Sequence, residues 1–171
     1  MNSERPKIKV PLQTIDIVIE LASITILLLM WIHIILEYSG LPETIPSHFN
    51  GAGEADGYSS KSYLWFLPIL AIVMYVGLFI LNRFPHIHNY MVNITEKNAL
   101  KQYRFSTRIL RVVNFLCTLL FAYISYRIIL GAQNNASDLG EGFLFIVIGG
   151  SILLPIVILI YQQKLKKEDN V

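Results

Sequence analysis

The sequence predicts an all-α integral membrane protein with four transmembrane helices, and three observations carry this prediction. Of the 171 residues, 54% are hydrophobic and only 15% are charged, whereas a soluble domain carries about a quarter charged residues. The apolar residues fall into four long runs of about 20 residues, the length of helix that crosses the hydrocarbon core of a bilayer. Lys and Arg are confined almost entirely to one side of these runs. We therefore expect a single four-helix membrane domain over residues 1–171.

Each apolar run is predicted to be one transmembrane helix, because in lipid a helix satisfies all of its backbone groups within one segment. The runs cover about residues 15–38, 63–82, 109–130 and 143–162. The first run follows a basic tail, as the apolar part of a signal peptide does, but it is longer and has no small-residue cleavage site at its end. We therefore predict that it is retained as the first span.

The distribution of Lys and Arg predicts the orientation. Twelve of the 14 lie in the N-terminal tail, in residues 83–111 or in the C-terminal tail, and the other two are Lys61 and Arg127. By the positive-inside rule, both termini and the segment 83–108 are predicted to be cytoplasmic, and the loop 39–62 is predicted to face outward. The net charge of +2 is too small for a nucleic-acid-binding protein, so no nucleic acid is expected as a partner.

The cytoplasmic segment contains a helix signal ahead of the third span. In NITEKNALKQYR, Thr95 is predicted to be the N-cap, and Glu96 lies in the first turn, where a negative charge complements the helix dipole. Basic residues then recur at spacings of three and four and form one face: Lys97, Lys101, Arg104 and Arg108. We expect a short amphipathic helix on the membrane surface. It either binds a cytoplasmic regulator or only attracts anionic lipid and fixes the topology.

The outward loop contains IPSHFNGAGEADGYSSK, which is unusually polar for a connection between membrane helices. Pro42 and Pro46 favour extended backbone in the residues before them. The turn signals NGAG and EADG contribute three glycines, which allow tight turns: Gly51, Gly53 and Gly57. We therefore predict a short hairpin or compact cap over residues 41–61.

Two motifs in the chain resemble a known family. LPETIPSHFNGAGEADGYSSK is similar to the pattern Leu-Pro-x-x-Ile-Pro-x-His-Phe-Asn, followed by Gly-x-x-Asp-Gly and a Lys. NYMVNITEKNALKQYR is similar to the Ile-Thr-Glu-x-Asn-Ala segment that follows the second helix in the same family. Over about residues 15–115, the chain therefore resembles a bacterial membrane domain of unknown function found among SdpI-like immunity proteins.

The resemblance implies a function and a set of motif positions. The best-understood members of the family protect a cell against a secreted toxic peptide, and some also sequester a transcriptional repressor at the membrane. It therefore implies a multi-pass protein of the bacterial inner membrane that confers immunity to an extracellular antimicrobial peptide, or senses one. The motif positions are His48, Phe49, Asn50, Gly53, Asp56 and Lys61 in the outward loop, and Thr95, Glu96 and Asn98 in the cytoplasmic segment.

The outward loop also contains residue types that bind metals. Imidazole and carboxylate groups suit zinc or a harder divalent ion, and the candidates are His48, Glu54 and Asp56. The alternative is a hydrogen-bonded cap without a cofactor, in which Asp56 and Asn50 satisfy turn amides. A metal would allow an outward-facing membrane enzyme. Because no nucleophile elbow such as Gly-x-Ser-x-Gly is present, we expect that the chain is not an enzyme.

A polar stripe is predicted on the third helix. Arg111, Asn114 and Thr118 recur at spacings of three and four, so they share a face, and such a face normally turns into the bundle. Glu20 lies at a similar depth in the first helix, and we expect it to pair with Arg111 because an unpaired charge in lipid costs at least ~2.5 kcal/mol. The stripe either holds the helices together or forms the pathway of a small transporter or sensor.

Small residues in the fourth helix favour close packing. Gly149, Gly150 and Ser151 precede Pro155, and small residues permit near contact between helices in lipid. The contact is predicted to be with the rest of the bundle or with a second copy of the chain. A homo-oligomer is therefore an expected partner, together with membrane lipids.

Overall fold

The computed structural model describes residues 5–134 and 138–169, with side chains up to Leu165. The chain is mostly helical, and its long helices are α1 (Thr14–Glu37), α2 (Phe66–Leu81), α3 (Ala99–Asn134) and α4 (Phe143–Asp169). Between α1 and α2, the strands β1 (Thr44–Phe49) and β2 (Ala55–Ser60) pair as an antiparallel hairpin. The fold is therefore not purely α-helical, because the turn-rich loop predicted as a hairpin or cap forms a two-stranded sheet.

All four helices are long and apolar enough to cross a membrane. The 3-10 turn Lys61–Trp65 leads directly into α2, and together they give an apolar stretch of 21 residues, close to the ~20 that the hydrocarbon core requires. Helices α1 and α2 lie close to the predicted spans. Helices α3 and α4 extend beyond theirs, because polar helix-forming residues continue each helix past its apolar run.

Helix α3 includes the residues that were expected to form a separate amphipathic helix. It contains 36 residues, about 54 Å at ~1.5 Å per residue, and the hydrocarbon core is only ~30 Å thick. No Gly or Pro occurs from Ala99 to Leu130, so nothing in the sequence ends the helix between the basic segment and the span. Lys101, Arg104 and Arg108 therefore lie in the first turns of α3, and Lys97 lies in the turn before it.

The motif residues Thr95, Glu96 and Asn98 form a turn directly before α3. The Thr95 backbone N–H donates to Asn98 Oδ1 over 2.8 Å, and the Thr95 carbonyl accepts from the Ala99 N–H over 2.9 Å. Asn98, the residue directly before α3, closes this turn with its side chain, as in one half of a capping box. Thr95, the predicted N-cap, thus lies one turn before the helix begins, and Glu96 is exposed in that turn.

The described core has two clusters, one at each end of the bundle. At the hairpin end, defined as the end that carries β1 and β2, residues of α1, α2, α3, the hairpin and the segments that join them form one buried cluster: Met30, Ile34, Leu41, Ile45, Leu64, Ala71, Ile128 and Ile129. At the opposite end, the cluster of Ile94, Ala99 and Tyr103 packs against Val10, Tyr90 and Val92. Ile45 of β1 is fully buried, so the hairpin is anchored to the helices.

The described parts of both terminal regions lie at the opposite end. The Arg5 guanidinium donates to the carbonyls of His86 and His88, and the Tyr103 hydroxyl donates to the Pro6 carbonyl over 3.0 Å. Near the end of α4, Tyr161 stacks on a ring at the start of α3, with centroids 4.7 Å apart. The chain therefore enters and leaves the bundle on the side away from the hairpin.

Helix α4 lies at the periphery of the bundle. Its most apolar stretch buries no residue, and within the described chain no atom outside the helix lies within 4 Å of a Cβ built on Gly149 or Gly150. Near the hairpin end, Phe143 stacks on Tyr123 with centroids 5.3 Å apart. The small residues thus make no close contact within the bundle, and their contact with a second copy remains a prediction.

Candidate functional site

The hairpin brings its two strands unusually close together at His48. In the antiparallel register, Pro46 faces Tyr58 and His48 faces Gly57, with irregular pairing on either side of His48. A Cβ added to Gly57 would lie 2.9 Å from the His48 Cβ, closer than real Cβ atoms approach one another. Irregularities of this type bend a strand and redirect its side chains. Gly57 therefore determines how His48 is presented.

Asn50 organises the turn between the strands. Its Oδ1 atom accepts the backbone N–H groups of Ala52 and Glu54, at 2.8 and 3.1 Å. Its own N–H donates to the Glu54 carbonyl over 2.8 Å, and its carbonyl accepts the Gly53 N–H over 2.9 Å. Gly53 has a φ of 83°, which glycine adopts without strain. The motif residues Asn50 and Gly53 thus close the turn.

The hairpin brings two of the three candidate metal ligands together. His48 Nδ1 lies 2.5 Å from Asp56 Oδ1, and both side chains are exposed. Glu54 instead accepts a hydrogen bond from the Asn50 amide over 3.2 Å. Within the part of the chain that the structure describes, no group of three His, Cys, Asp or Glu side chains is placed to hold a metal ion. The feature at this site is an exposed His–Asp pair, which can exchange hydrogen bonds with a partner.

Lys61 and Phe49 fix the base of the hairpin. The Lys61 ammonium lies 3.0 Å from Glu43 Oε1 and 5.5 Å from the centre of the Tyr38 ring, and only 19% of its side chain is exposed. Phe49 packs against the buried cluster at the hairpin end. A third contact links the strands directly, because Ser47 Oγ lies 2.8 Å from Ser59 Oγ. These contacts make the hairpin a firm support for the exposed pair.

The loop between α3 and α4, called here the second loop and described over residues 138–142, contacts the hairpin through residues that the sequence analysis did not identify. Arg127 of α3 lies 2.5 Å from the Asp138 carboxylate, and the Tyr123 hydroxyl donates to the Leu139 carbonyl over 2.7 Å. The Leu139 N–H then donates to the Gly53 carbonyl over 2.8 Å. The sequence analysis used Arg127 only to predict the orientation of the helices, although a lone Arg near a helix end commonly has a carboxylate partner. The two loops thus form one surface.

The predicted ion pair between α1 and α3 is present. Arg111 Nε lies 3.1 Å from Glu20 Oε1, with 11% and 15% of the two side chains exposed. The Tyr75 hydroxyl of α2 donates to the other Glu20 oxygen over 2.8 Å, so the pair links three helices. One turn earlier on both helices, Arg108 contacts Asp16 over 2.8 Å. Sequence reasoning did not identify Tyr75, because a tyrosine among apolar residues also fits ordinary packing.

The rest of the polar stripe on α3 is buried between helices. Asn114 is 3% exposed, and its amide nitrogen donates to the Tyr75 carbonyl over 3.3 Å. Its Oδ1 atom has no hydrogen-bond partner among the described residues, and the same holds for Ser125 Oγ, about three turns further along the same face. The Thr118 hydroxyl donates back to the Asn114 carbonyl over 2.8 Å. The stripe therefore contains both interhelical hydrogen bonds and buried polar atoms without a hydrogen-bond partner among the described residues.

Four membrane-length helices beneath an anchored hairpin define a multi-pass membrane protein. Residues 25–72, which run from α1 through the hairpin into α2, match a family described as a domain of unknown function, DUF1648. This match agrees with the resemblance to a membrane domain of unknown function seen in the sequence. The matched residues include all of the motif positions in the loop 39–62 and none of those near the start of α3.

One relative comes from the archaeon Archaeoglobus fulgidus and is described as an uncharacterized protein. It is 36% identical over 69 residues, which cover 36% of this chain and 38% of that protein. The chain therefore spans well under half of the length of this relative. No solved structure matches the chain.

Proposed function

We propose that the chain is an SdpI-like protein of the bacterial inner membrane that confers immunity to an antimicrobial peptide outside the cell, or senses one. The hairpin faces outward and binds the peptide, while the termini and the segment 83–108 are cytoplasmic. The observation that carries the proposal is the exposed His48–Asp56 pair on a hairpin whose Ile45 and Phe49 pack into the buried cluster at the hairpin end. A firm support with a few exposed polar groups suits recognition, because little side-chain freedom is lost on binding.

The charge distribution supports this orientation. The segment before and within the start of α3 carries most of the internal basic residues, and cytoplasmic segments are enriched in Lys and Arg. Cationic side chains there attract anionic lipid at about 1 kcal/mol each, or they contact an acidic cytoplasmic regulator. A signal sensed at the hairpin would reach this surface through α3, which runs from one end of the bundle to the other.

His48→Ala and Asp56→Ala are expected to remove protection without lowering the amount of protein in the membrane. The test expresses each variant in a susceptible bacterium that is challenged with a panel of secreted antimicrobial peptides. Loss of a contact worth about 1.4 kcal/mol would lower the tolerated peptide concentration about tenfold. Neither side chain is buried, so neither variant should unfold the hairpin.

Thr44→Ala provides the matched control, because Thr44 is an exposed residue of the same hairpin and lies outside the motif positions. It should protect as well as the unmodified chain. Full protection by both His48→Ala and Asp56→Ala would rule out the hairpin pair as the recognition surface. If the unmodified chain protects against none of the peptides, immunity itself is contradicted.

The second candidate function is a small transporter or sensor that uses the polar stripe of α3. The unpartnered Asn114 Oδ1 atom favours it, because a buried polar atom without a partner is costly and is often retained for function. It lies one turn beyond Arg111 on the same helix. Glu20, Tyr75 and Arg111 then form the end of a polar route that begins at the opposite end of the bundle.

For this candidate, Asn114→Leu is expected to abolish ion flux and leave folding intact, because leucine fills a similar volume without polar atoms. The measurement is proton uptake by proteoliposomes under an imposed potential. Leu116→Ala is the control, since Leu116 is 43% exposed on the same helix. Equal flux in the Asn114→Leu variant and the unmodified chain, or no flux in either, would exclude the transporter.

A further inference from the structure

The free edge of β2 presents backbone groups that have no partner in the hairpin. The Lys61 N–H donates to the Glu43 carbonyl over 2.9 Å, and Pro46 faces Tyr58 in the same register. In an antiparallel ladder with this register, Tyr58 and Ser60 stand in non-hydrogen-bonded pairs, whose N–H and C=O groups point away from the partner strand. The N–H and C=O of Tyr58 and the N–H of Ser60 therefore point out of the edge of the sheet.

The edge of β1 is closed to a further strand. Pro46 is buried and has no N–H at a position where an added strand would need a donor. The strand also packs against α3. Proline and coverage by another element are two ways in which proteins protect sheet edges. Strand β2, with the sequence ADGYSS, contains no proline, and its Tyr58 side chain is 59% exposed.

The second loop already pairs with one end of the β2 edge. Glu54 forms an isolated antiparallel bridge with Asp138, next to the hydrogen bond from the Leu139 N–H to the Gly53 carbonyl. The edge thus accepts backbone pairing just before β2 begins. Further along, the N–H and C=O of Tyr58 and the N–H of Ser60 have no backbone partner among residues 5–134 and 138–169. The Ser60 C=O is already used, because Ser60 is the N-cap of the 3-10 turn Lys61–Trp65. A segment bound there would extend the sheet beyond this bridge.

The charge at the hairpin end identifies the kind of segment that fits. The described acids at this end are Glu37, Glu43, Glu54, Asp56, Asp138 and Glu141. Of the basic residues there, Lys61 pairs with Glu43 and Arg127 pairs with Asp138. The surface is therefore net negative, and such a surface attracts and orients a cationic partner.

We propose that the free edge of β2 binds an extended cationic peptide as a third strand. The N–H and C=O of Tyr58 and the N–H of Ser60 provide the main-chain hydrogen bonds, as in other strand-addition complexes. Asp56, Tyr58 and Ser60 alternate with half-buried residues and share the exposed face of the strand, so Asp56 lies beside the basic side chains of the peptide. This proposal deepens the proposed function and rests on it for the source of the peptide.

Amide hydrogen exchange of the full chain in nanodiscs of zwitterionic lipid tests the proposal. The probe is a capped hexapeptide of alternating Lys and Val. It should slow exchange of the Tyr58 and Ser60 amides by about tenfold or more, because pairing protects an amide until it opens. The Ser59 amide, which points toward β1, should not change. The same peptide methylated on every backbone amide, and a Glu-Val counterpart, should give no protection.

The variant Glu54→Gln together with Asp56→Asn should weaken binding of the Lys-Val peptide by about tenfold, since two charges near the edge are lost. Binding without slower exchange at Tyr58 and Ser60, equal binding of the methylated peptide, or no binding at all would each overturn the edge proposal. Protection of these amides in a chain that confers no immunity would instead contradict only the proposed function. If the chain confers immunity but the Lys-Val peptide does not slow exchange of the Tyr58 and Ser60 amides, only the proposal of strand addition at the β2 edge is contradicted.

Discussion

Gly57→Ala is expected to open the hairpin, whereas Gly51→Ala should leave it folded. The added methyl group of Gly57→Ala would lie 2.9 Å from the His48 Cβ, which is fixed to the backbone and cannot rotate away. Overpacking of this kind costs about 1–3 kcal/mol. The same change at Gly51 meets no atom within 4 Å in the described structure, so it adds one methyl group to the same hairpin without a clash.

Hydrogen exchange at the Lys61 and Asn50 amides reports this opening, because both donate backbone hydrogen bonds across the hairpin. Both amides should exchange faster in Gly57→Ala than in the unmodified chain, and their exchange rates should not change in Gly51→Ala. Adding His48→Gly to the Gly57→Ala variant removes the clashing Cβ, and it should restore part of the protection. If Gly57→Ala kept the exchange rates of the unmodified chain, the strands would be farther apart at His48 than the structure places them.

Arg111→Ala should be among the most destabilising single changes in the membrane region. It would leave the Glu20 carboxylate with only the Tyr75 hydroxyl as a partner. Removal of one member of a buried ion pair typically costs about 3–5 kcal/mol, because the remaining charge is uncompensated. Thermal unfolding in detergent and the amount of folded protein in the membrane measure the effect.

Two comparisons separate the ion pair from a general loss of positive charge. Arg83→Ala removes a cation from an exposed position that stacks on Phe79, and it should cost about 1 kcal/mol or less. The double variant Glu20→Gln with Arg111→Gln keeps polar groups but removes both charges, so it should be milder than Arg111→Ala. If Arg83→Ala and Arg111→Ala were equally stable, the pair would contribute little to folding.

The Glu20–Arg111 pair could be predicted because two strong constraints act on the same residues. Both lie near the ends of apolar runs, and a charge in lipid needs a partner at its own depth. That argument did not predict the pairing of Arg108 with Asp16 or the hydrogen bond from Tyr75 to Glu20, which only the structure shows. Several partners at similar depth were available for each, and only the rotation of the helices selects one.

The motif in the loop 39–62 could likewise be predicted only in part. Turn residues predicted a compact cap, because Gly and Asn tolerate backbone conformations that other residues avoid. They did not identify Gly57 as the position where the strands nearly touch, since that depends on the irregular register at His48. The sequence also placed Glu54 beside His48 and Asp56 as a third metal ligand. In the folded hairpin, Glu54 lies at the turn and bonds to Asn50.

Local hydropathy determined the number of spans and their approximate ends, because the cost of exposing polar backbone to lipid acts on each 20-residue segment independently. The absence of Gly and Pro between Ala99 and Leu130 likewise determined that α3 could run unbroken from its basic start. Which loop contacts which helix depends on residues far apart in the chain. Arg127 meets Asp138 and Leu139 meets Gly53 only because the tertiary structure sets those distances. It also leaves the Tyr58 N–H and C=O at the edge of β2 without a backbone partner among the described residues.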